Sequence, residues 1–297
     1  MVAKTLLRGL AASLLATLAG CAPAVLDPRG PVSRAQGTIL LDSMAIMLTI
    51  VVPTILATLA FAWWFRASNT RAQRLPDWAY SGQIEILVWS IPLLTIMLLG
   101  GVTWIGAHQL DPGRPLASNT PALEVQVVSL DWKWLFILPE QGVASVNRLV
   151  IPAGVPVRFS LTSASVMNAF FVPQLGSMIY TMNGMATQLN LQADAPGIFH
   201  GLSSHYSGDG FAGMHFDVQA MPADGFDRWV EEARGQGDAL DPAHYAALAV
   251  QSTDVRPFTF RSVTPGLFGG IVMQHLPPGP GPAAGQPNRD VSPRAEK

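Results

Sequence analysis

Over 297 residues the chain is 49% hydrophobic and only 13% charged, with a formal net charge of −2. That balance is too apolar for a purely soluble protein of this length, and it offers no basic field to hold a nucleic-acid backbone. Membrane attachment is expected, nucleic acid is excluded as a partner, and the single cysteine excludes a disulfide framework or a thiolate cluster.

Lys4 and Arg8 precede the apolar run Gly9–Leu18 and then small residues. This is the layout of a secretory signal over residues 1–20. Leu18-Ala19-Gly20-Cys21 resembles the bacterial lipobox, which implies cleavage before Cys21 and a lipid on that cysteine at the outer face. An uncleaved apolar N-terminus with a chance cysteine is the plainer alternative. Residues 21–42 then form an outer segment before two charge-free runs, Ser43–Phe65 and Ile86–Ala107. At about 1.5 Å per helical residue, each run crosses a hydrocarbon core roughly 30 Å thick. Trp63, Trp64 and Trp104 stand near the ends of these runs, where amphipathic rings favour the interface, and a membrane bundle tolerates Pro53 and Pro92. Residues 66–83 carry Arg66, Arg71 and Arg74 against Asp77, which predicts a cytoplasmic loop with both flanking segments outside.

Beyond Asp111-Pro112-Gly113-Arg114-Pro115 the pattern shortens to period two. Leu123, Val125 and Val127 alternate with Glu124 and Gln126. Val157, Phe159 and Leu161, then Leu189 and Leu191, then Met214, Phe216 and Val218 repeat the theme. Alternation of this kind predicts half-buried strands, and turn residues at Pro139–Gly142, Pro152–Gly154, Asn183-Gly184 and Ala195–Gly197 cut them at the spacing of a sandwich or barrel. The predicted all-β domain spans residues 117–222. Asp224–Val230 reads as a capped amphipathic helix start and Asp241–Val250 as a second short helix, within a C-terminal region at 223–276. Residues 277–297 are rich in Pro and Gly and read as a disordered tail.

One stretch carries most of the functional information: Gly201-Leu202-Ser203-Ser204-His205-Tyr206-Ser207-Gly208-Asp209-Gly210-Phe211-Ala212-Gly213-Met214. A binuclear copper centre needs thiolates to bridge two ions and imidazoles to hold them, on a tight Gly-rich loop between strands. The frame resembles that loop in the subunit II family of haem-copper oxidases, with Ser203 and Ser207 on the bridging cysteines. His205 falls on the glutamate, Phe211 on the histidine, and Met214 alone keeps its type. Upstream, Val166-Met167-Asn168-Ala169-Phe170 places Asn168 where the family has a further histidine. From this stretch alone, an ordinary Gly/Ser hairpin would read the same. With the two apolar runs and the strands, the chain resembles subunit II of the cytochrome bo type of quinol oxidase, in which the copper ligands are lost.

The resemblance implies a membrane-anchored fold, in which a two-helix hairpin at 43–110 precedes a cupredoxin-like Greek-key sandwich. It implies that this subunit binds no cofactor, and that subunit I of the complex carries two haems and one copper and performs the chemistry. Residues Asp131-Trp132-Lys133-Trp134 match an aromatic segment whose first tryptophan accepts electrons in copper-bearing relatives; without copper, Trp132 is expected to be a packing residue. Glu85 matches a glutamate at the mouth of a proton pathway, although an acid at that position also simply marks a helix end. Val263–Val272 resembles the C-terminal arm that packs on partner subunits. The implied location is the bacterial inner membrane, spanned twice, with the sandwich in the periplasm and lipid and the other subunits as partners. A free-standing lipoprotein that handles a ligand or copper is the alternative from another class. His200, His205 and His215 lie close in sequence but form no evident triad, and His108, His244 and His275 have no partner at ligand spacing.

Overall fold

A computed structural model describes residues 24–73 and 75–279. The signal-like segment with Cys21, residue Arg74 and the tail beyond Gly279 lie outside those residues. The chain divides into two compact units, residues 35–111 and residues 1–34 together with 112–297.

The smaller unit contains most of α1 (Pro31–Trp64) and all of α2 (Gly82–Gln109), both long and apolar enough to cross a membrane. α1 starts well before its charge-free run because local chemistry nucleates it at Gly30. Pro31 takes the first helical position, and Ser33 Oγ reaches back to accept the Gly30 N–H at 3.1 Å, half of a capping box. It ends where Arg66 and Asn69 donate to the last free carbonyls, those of Trp63 (2.9 Å) and Trp64 (2.5 Å). Pro53 and Pro92 sit inside the helices. The hydroxyls of Thr49, Thr54, Thr58 and Thr95 each donate to the carbonyl four residues back, which satisfies them without water. The two helices approach at Gly106, where a Cβ would lie 2.7 Å from Ile39 Cδ1.

The larger unit is a two-sheet sandwich. Its strands are β1 (Leu123–Leu130), β2 (Lys133–Leu138), β3 (Val143–Val146), β4 (Arg148–Pro152), β5 (Val157–Ser163), β6 (Asn168–Phe171) and β7 (Ile179–Thr181). They continue as β8 (Thr187–Leu191), β9 (Gly197–Ser203), β10 (His215–Met221), β11 (Ala239–Leu240), β12 (Phe258–Phe260) and β13 (Ser262–Val263). One sheet has the order β12-β3-β2-β1-β5-β8 and the other β4-β10-β9-β6-β7, while β11 and β13 form a small separate pair. β1 pairs in parallel with β5, and β4 with β10, so each sheet is joined by crossovers rather than by hairpins alone. Between the sheets lies an aromatic layer. Phe170 and Phe216 stack at 5.0 Å, and Trp134 meets each of them at 5.4 Å.

Expected strands lie where alternation placed them, but β2 and β3 do not alternate: every residue in them is buried. The cause is a second cover. Val128, Leu130, Leu135, Ile137, Ala144 and Val146 on the far face of the first sheet pack against Leu240, Tyr245, Phe260, Leu267, Phe268 and Ile271 of the C-terminal region. That region contains α3 (Ala223–Gly235), α4 (Pro242–Leu248) and α5 (Leu267–Val272). Asp241 caps α4 as its position suggests, accepting the His244 N–H at 2.8 Å. The cap expected for α3 differs. Pro222 holds the N-cap position with no side-chain bond, and Asp224 sits inside the first turn, where it favours the helix dipole and pairs with Arg228 at 3.1 Å. The C-terminal region stays on the sandwich as far as Gly279, beyond the expected start of the tail at Pro277, because the Gly279 N–H donates to the Ala164 carbonyl at 2.7 Å.

The aromatic layer also dictates a glycine. A Cβ on Gly201 would lie 2.2 Å from the Phe216 ring, itself wedged between Phe170 and Trp134. Gly201→Ala is therefore expected to destabilise the folded chain by about 1–3 kcal/mol, read as a lower urea midpoint in detergent at unchanged slope.

Candidate functional site

The Ser203–Met214 loop joins β9 to β10, the last two strands of the second sheet. Gly208 supplies the turn with φ of +105, a conformation open to glycine, and a short 3-10 turn at Phe211–Gly213 closes it through Met214 N–H to Phe211 O at 3.0 Å. Four of the six residues singled out from sequence are buried here: Asn168, Ser203, Ser207 and Met214. The Ser203 hydroxyl donates to Asn168 Oδ1 at 3.2 Å, bringing the loop onto β6, and the Ser207 hydroxyl points to Met214 Sδ at 3.9 Å. Phe211 and His205 are only half-buried. Phe211 meets the Tyr206 ring edge-on at 5.5 Å, and His205 meets Tyr180 at 5.8 Å.

This donor set does not fit copper. Amide, hydroxyl and thioether groups stand where the resemblance puts thiolate and imidazole, and the two hydroxyls and the amide are already engaged with one another, with nearby carbonyls or, for Ser207, with the Met214 sulfur. Among the described residues no three His, Cys, Asp or Glu side chains are placed to hold a metal ion. His200 instead pairs with Asp217 across β9 and β10 at 2.6 Å, His244 pairs with Asp241, and His108 bonds the Trp104 carbonyl at 2.9 Å. In α2, Glu85 occupies the first turn, where the helix dipole favours a carboxylate.

Beside the loop lie Trp132, from the aromatic segment noted in the sequence, and two polar residues, Lys133 and Asn147, to which the sequence assigned no role. Trp132 is 1% exposed, adopts φ of +64 and donates its indole N–H to the Ser207 carbonyl at 3.1 Å. A bulky residue in that left-handed region is uncommon and persists where its surroundings over-determine it. Lys133 is also 1% exposed; its ammonium donates to the Val250 carbonyl at 2.6 Å and to Ser252 Oγ at 2.5 Å. Asn147, with φ of +53, accepts the Trp134 N–H at 2.8 Å and donates to the Val255 carbonyl at 2.8 Å. Sequence gave one clue to the lysine, a cation between two tryptophans, where a strand buried on both faces leaves its head no route to water except along the chain that covers it.

A sandwich whose tight Gly/Ser loop joins its last two strands is a cupredoxin-like domain. The family model "Cytochrome C oxidase subunit II, periplasmic domain" matches residues 137–221, and "COX Aromatic Rich Motif" matches residues 234–279. The chain is 49% identical over 271 residues to ubiquinol oxidase subunit 2 of Acetobacter aceti, covering 91% of this chain and 87% of that protein. It is 47% identical over 258 residues to cytochrome bo(3) ubiquinol oxidase subunit 2 of Pseudomonas aeruginosa, covering 87% and 78%. With quinol oxidase subunit 2 of Bacillus cereus it shares 38% identity over 236 residues, covering 78% and 81%. The chain therefore belongs to the ubiquinol oxidase subunit 2 family.

Burial lowers the Lys133 ammonium from its ordinary value of 10.5 to about 8, against the smaller raising effect of Asp131. With a folded pKa below the unfolded one, the unfolded chain binds more protons between those values, so stability contributed by this group rises with pH from about 8 to about 10.5. Below that window its charge is a constant cost. Lys133→Met should abolish the rise, measured as the difference in urea midpoint between wild type and variant at the two ends of the window.

Proposed function

We propose that this chain is the non-redox subunit II of a proton-translocating quinol oxidase, in which partner subunits oxidise quinol and reduce oxygen. The observation that carries this reading is the near full-length likeness to proteins named ubiquinol oxidase subunit 2, joined to a ligand loop with no thiolate in it. Subunit I of the complex holds the two haems and one copper, and the present chain braces it through the two helices and covers it with the sandwich. The helices span the bacterial inner membrane, residues 66–83 face the cytoplasm and the sandwich stands in the periplasm. The free-standing lipoprotein is not favoured, because the likeness to oxidase subunits takes in both apolar helices as well as the domain.

Asn168, Ser203, His205, Ser207, Phe211 and Met214 are the vacated positions of a binuclear copper site. Purified complex is expected to contain haem and subunit I copper, to oxidise quinol, and to leave reduced cytochrome c untouched. Cytochrome c turnover, or a second and third copper that follow this subunit on dissociation, would overturn the reading. Asn168→His, Ser203→Cys, His205→Glu, Ser207→Cys and Phe211→His together are expected to create a coloured binuclear site, since thiolate and imidazole then replace hydroxyl, amide and phenyl groups.

Two further residues belong to this reading. Cys21 carries the lipid of a mature N-terminus, which intact-mass measurement of the purified subunit checks directly. Glu85 gathers protons at the cytoplasmic end of α2 and passes them toward the oxygen-reducing centre, as expected of an ionisable group at the edge of the hydrocarbon layer. Glu85→Ala should slow quinol oxidation in part while haem content and assembly stay intact, and Glu85→Asp should do less harm. Full turnover by Glu85→Ala across acidic and alkaline pH would leave Glu85 as a helix-end residue only.

A further inference from the structure

The Ser203–Met214 loop has few means of holding its shape by itself. Its internal backbone bonds are one across its ends, from Ser203 to Met214, and those of one turn, from Phe211 to Gly208, from Gly213 to Gly210 and from Met214 to Phe211, and three of its residues are glycines. A bound ion would cross-link such a loop. Here a different element stands against it.

Residues 250–257 run from the end of α4 to β12 as a strap without regular structure. Three anchors fix it to the first sheet. Lys133 Nζ donates to the Val250 carbonyl and to Ser252 Oγ, Asn147 Nδ2 donates to the Val255 carbonyl, and Phe258–Phe260 then pairs with β3. Between these anchors the strap presses on the loop at two glycines. A Cβ on Gly210 would lie 2.5 Å from Thr253 Cγ2 and 2.4 Å from the Trp132 ring, so strap, indole and loop meet at that one backbone position. A Cβ on Gly213 would lie 2.9 Å from Asp254 Oδ1. Asp254 itself is held at φ of +53, an arrangement that turns the strap at its contact with the loop. The Trp132 indole, bonded to the Ser207 carbonyl, completes the clamp from beneath.

We propose that the 250–257 strap is a clamp that holds the Ser203–Met214 loop closed over Trp132, doing by packing and by the Lys133 and Asn147 anchors what a metal cross-link does in a ligand loop. Loosening the strap then frees the loop and uncovers the indole without unfolding either sheet. The buried ammonium is the strongest anchor, because a charged donor to two oxygens outweighs a neutral hydrogen bond.

Hydrogen exchange and hydroxyl-radical footprinting of the purified full-length subunit in its complex test this. In Lys133→Met and in Ser252→Ala, amides of residues 203–214 should exchange roughly tenfold faster or more, the scale of one lost charge-assisted hydrogen bond, and Trp132 should become oxidisable. Amides of β1 and β5 should not change. Thr253→Ala with Asp254→Ala, which removes the strap side chains nearest Gly210 and Gly213 and leaves the anchors, should loosen the loop in the same way, which keeps the test decisive if Lys133→Met fails to fold. The clamp is refuted if loop amides stay slow while residues 250–257 exchange faster, if both sheets loosen equally with the loop, or if the Thr253→Ala, Asp254→Ala pair leaves loop exchange unchanged. Haem content and quinol turnover, read in parallel, report on the function proposed above and leave the exchange result to decide the strap.

Discussion

The sandwich depends on covering the far face of its six-stranded sheet. Leu130, Leu135, Ile137 and Val146 would otherwise stand in water, at a cost of about 1.5–3 kcal/mol for each large side chain. The chain from Ala239 to Leu276 supplies that cover, with Tyr245, Phe260, Leu267, Phe268 and Ile271 inserted against the strands. The C-terminal region is therefore part of the fold rather than an appendage. It also explains the polar groups buried with it. Lys133 and Asn147 lie in or beside strands with no open face, and each is satisfied by backbone of the chain laid over it.

Polar side chains buried in and beside the Ser203–Met214 loop must find partners or be removed. Here they pair among themselves: Ser203 with Asn168, Ser207 with Met214, and the Ser207 carbonyl with Trp132. The result is a closed, neutral set. It holds the β9 end against β6.

The helical unit obeys another rule. Apart from Gly106 in its close approach to Ile39, α1 between Ala35 and Trp64 and α2 are predominantly apolar on every face and bury no side chain among the described residues. Such helices are stable only against lipid or partner helices. The threonine hydroxyls bond to their own helix, so they do not require a polar neighbour.

Both apolar helices, the strand positions of β1, β5, β8 and β10, and the Gly/Ser loop between β9 and β10 are legible in the sequence. Each rests on local chemistry: charge-free length, period-two alternation, or residue types inside one short stretch. The sequence also places Asn168 near the loop through family likeness, although only pairing of β6 with β9 brings its amide onto Ser203. The tertiary structure alone decided what lies over β2 and β3, where Lys133 ends, and what presses on Gly210 and Gly213. Lys133 and Val250, like Asn147 and Val255, lie more than a hundred positions apart, and the strap reaches Gly210 and Gly213 from beyond α3 and α4. A local pattern records which side chains must be buried. Which distant segment buries them depends on the order in which strands pair and on the path of the chain between them, and no periodicity in the sequence encodes that.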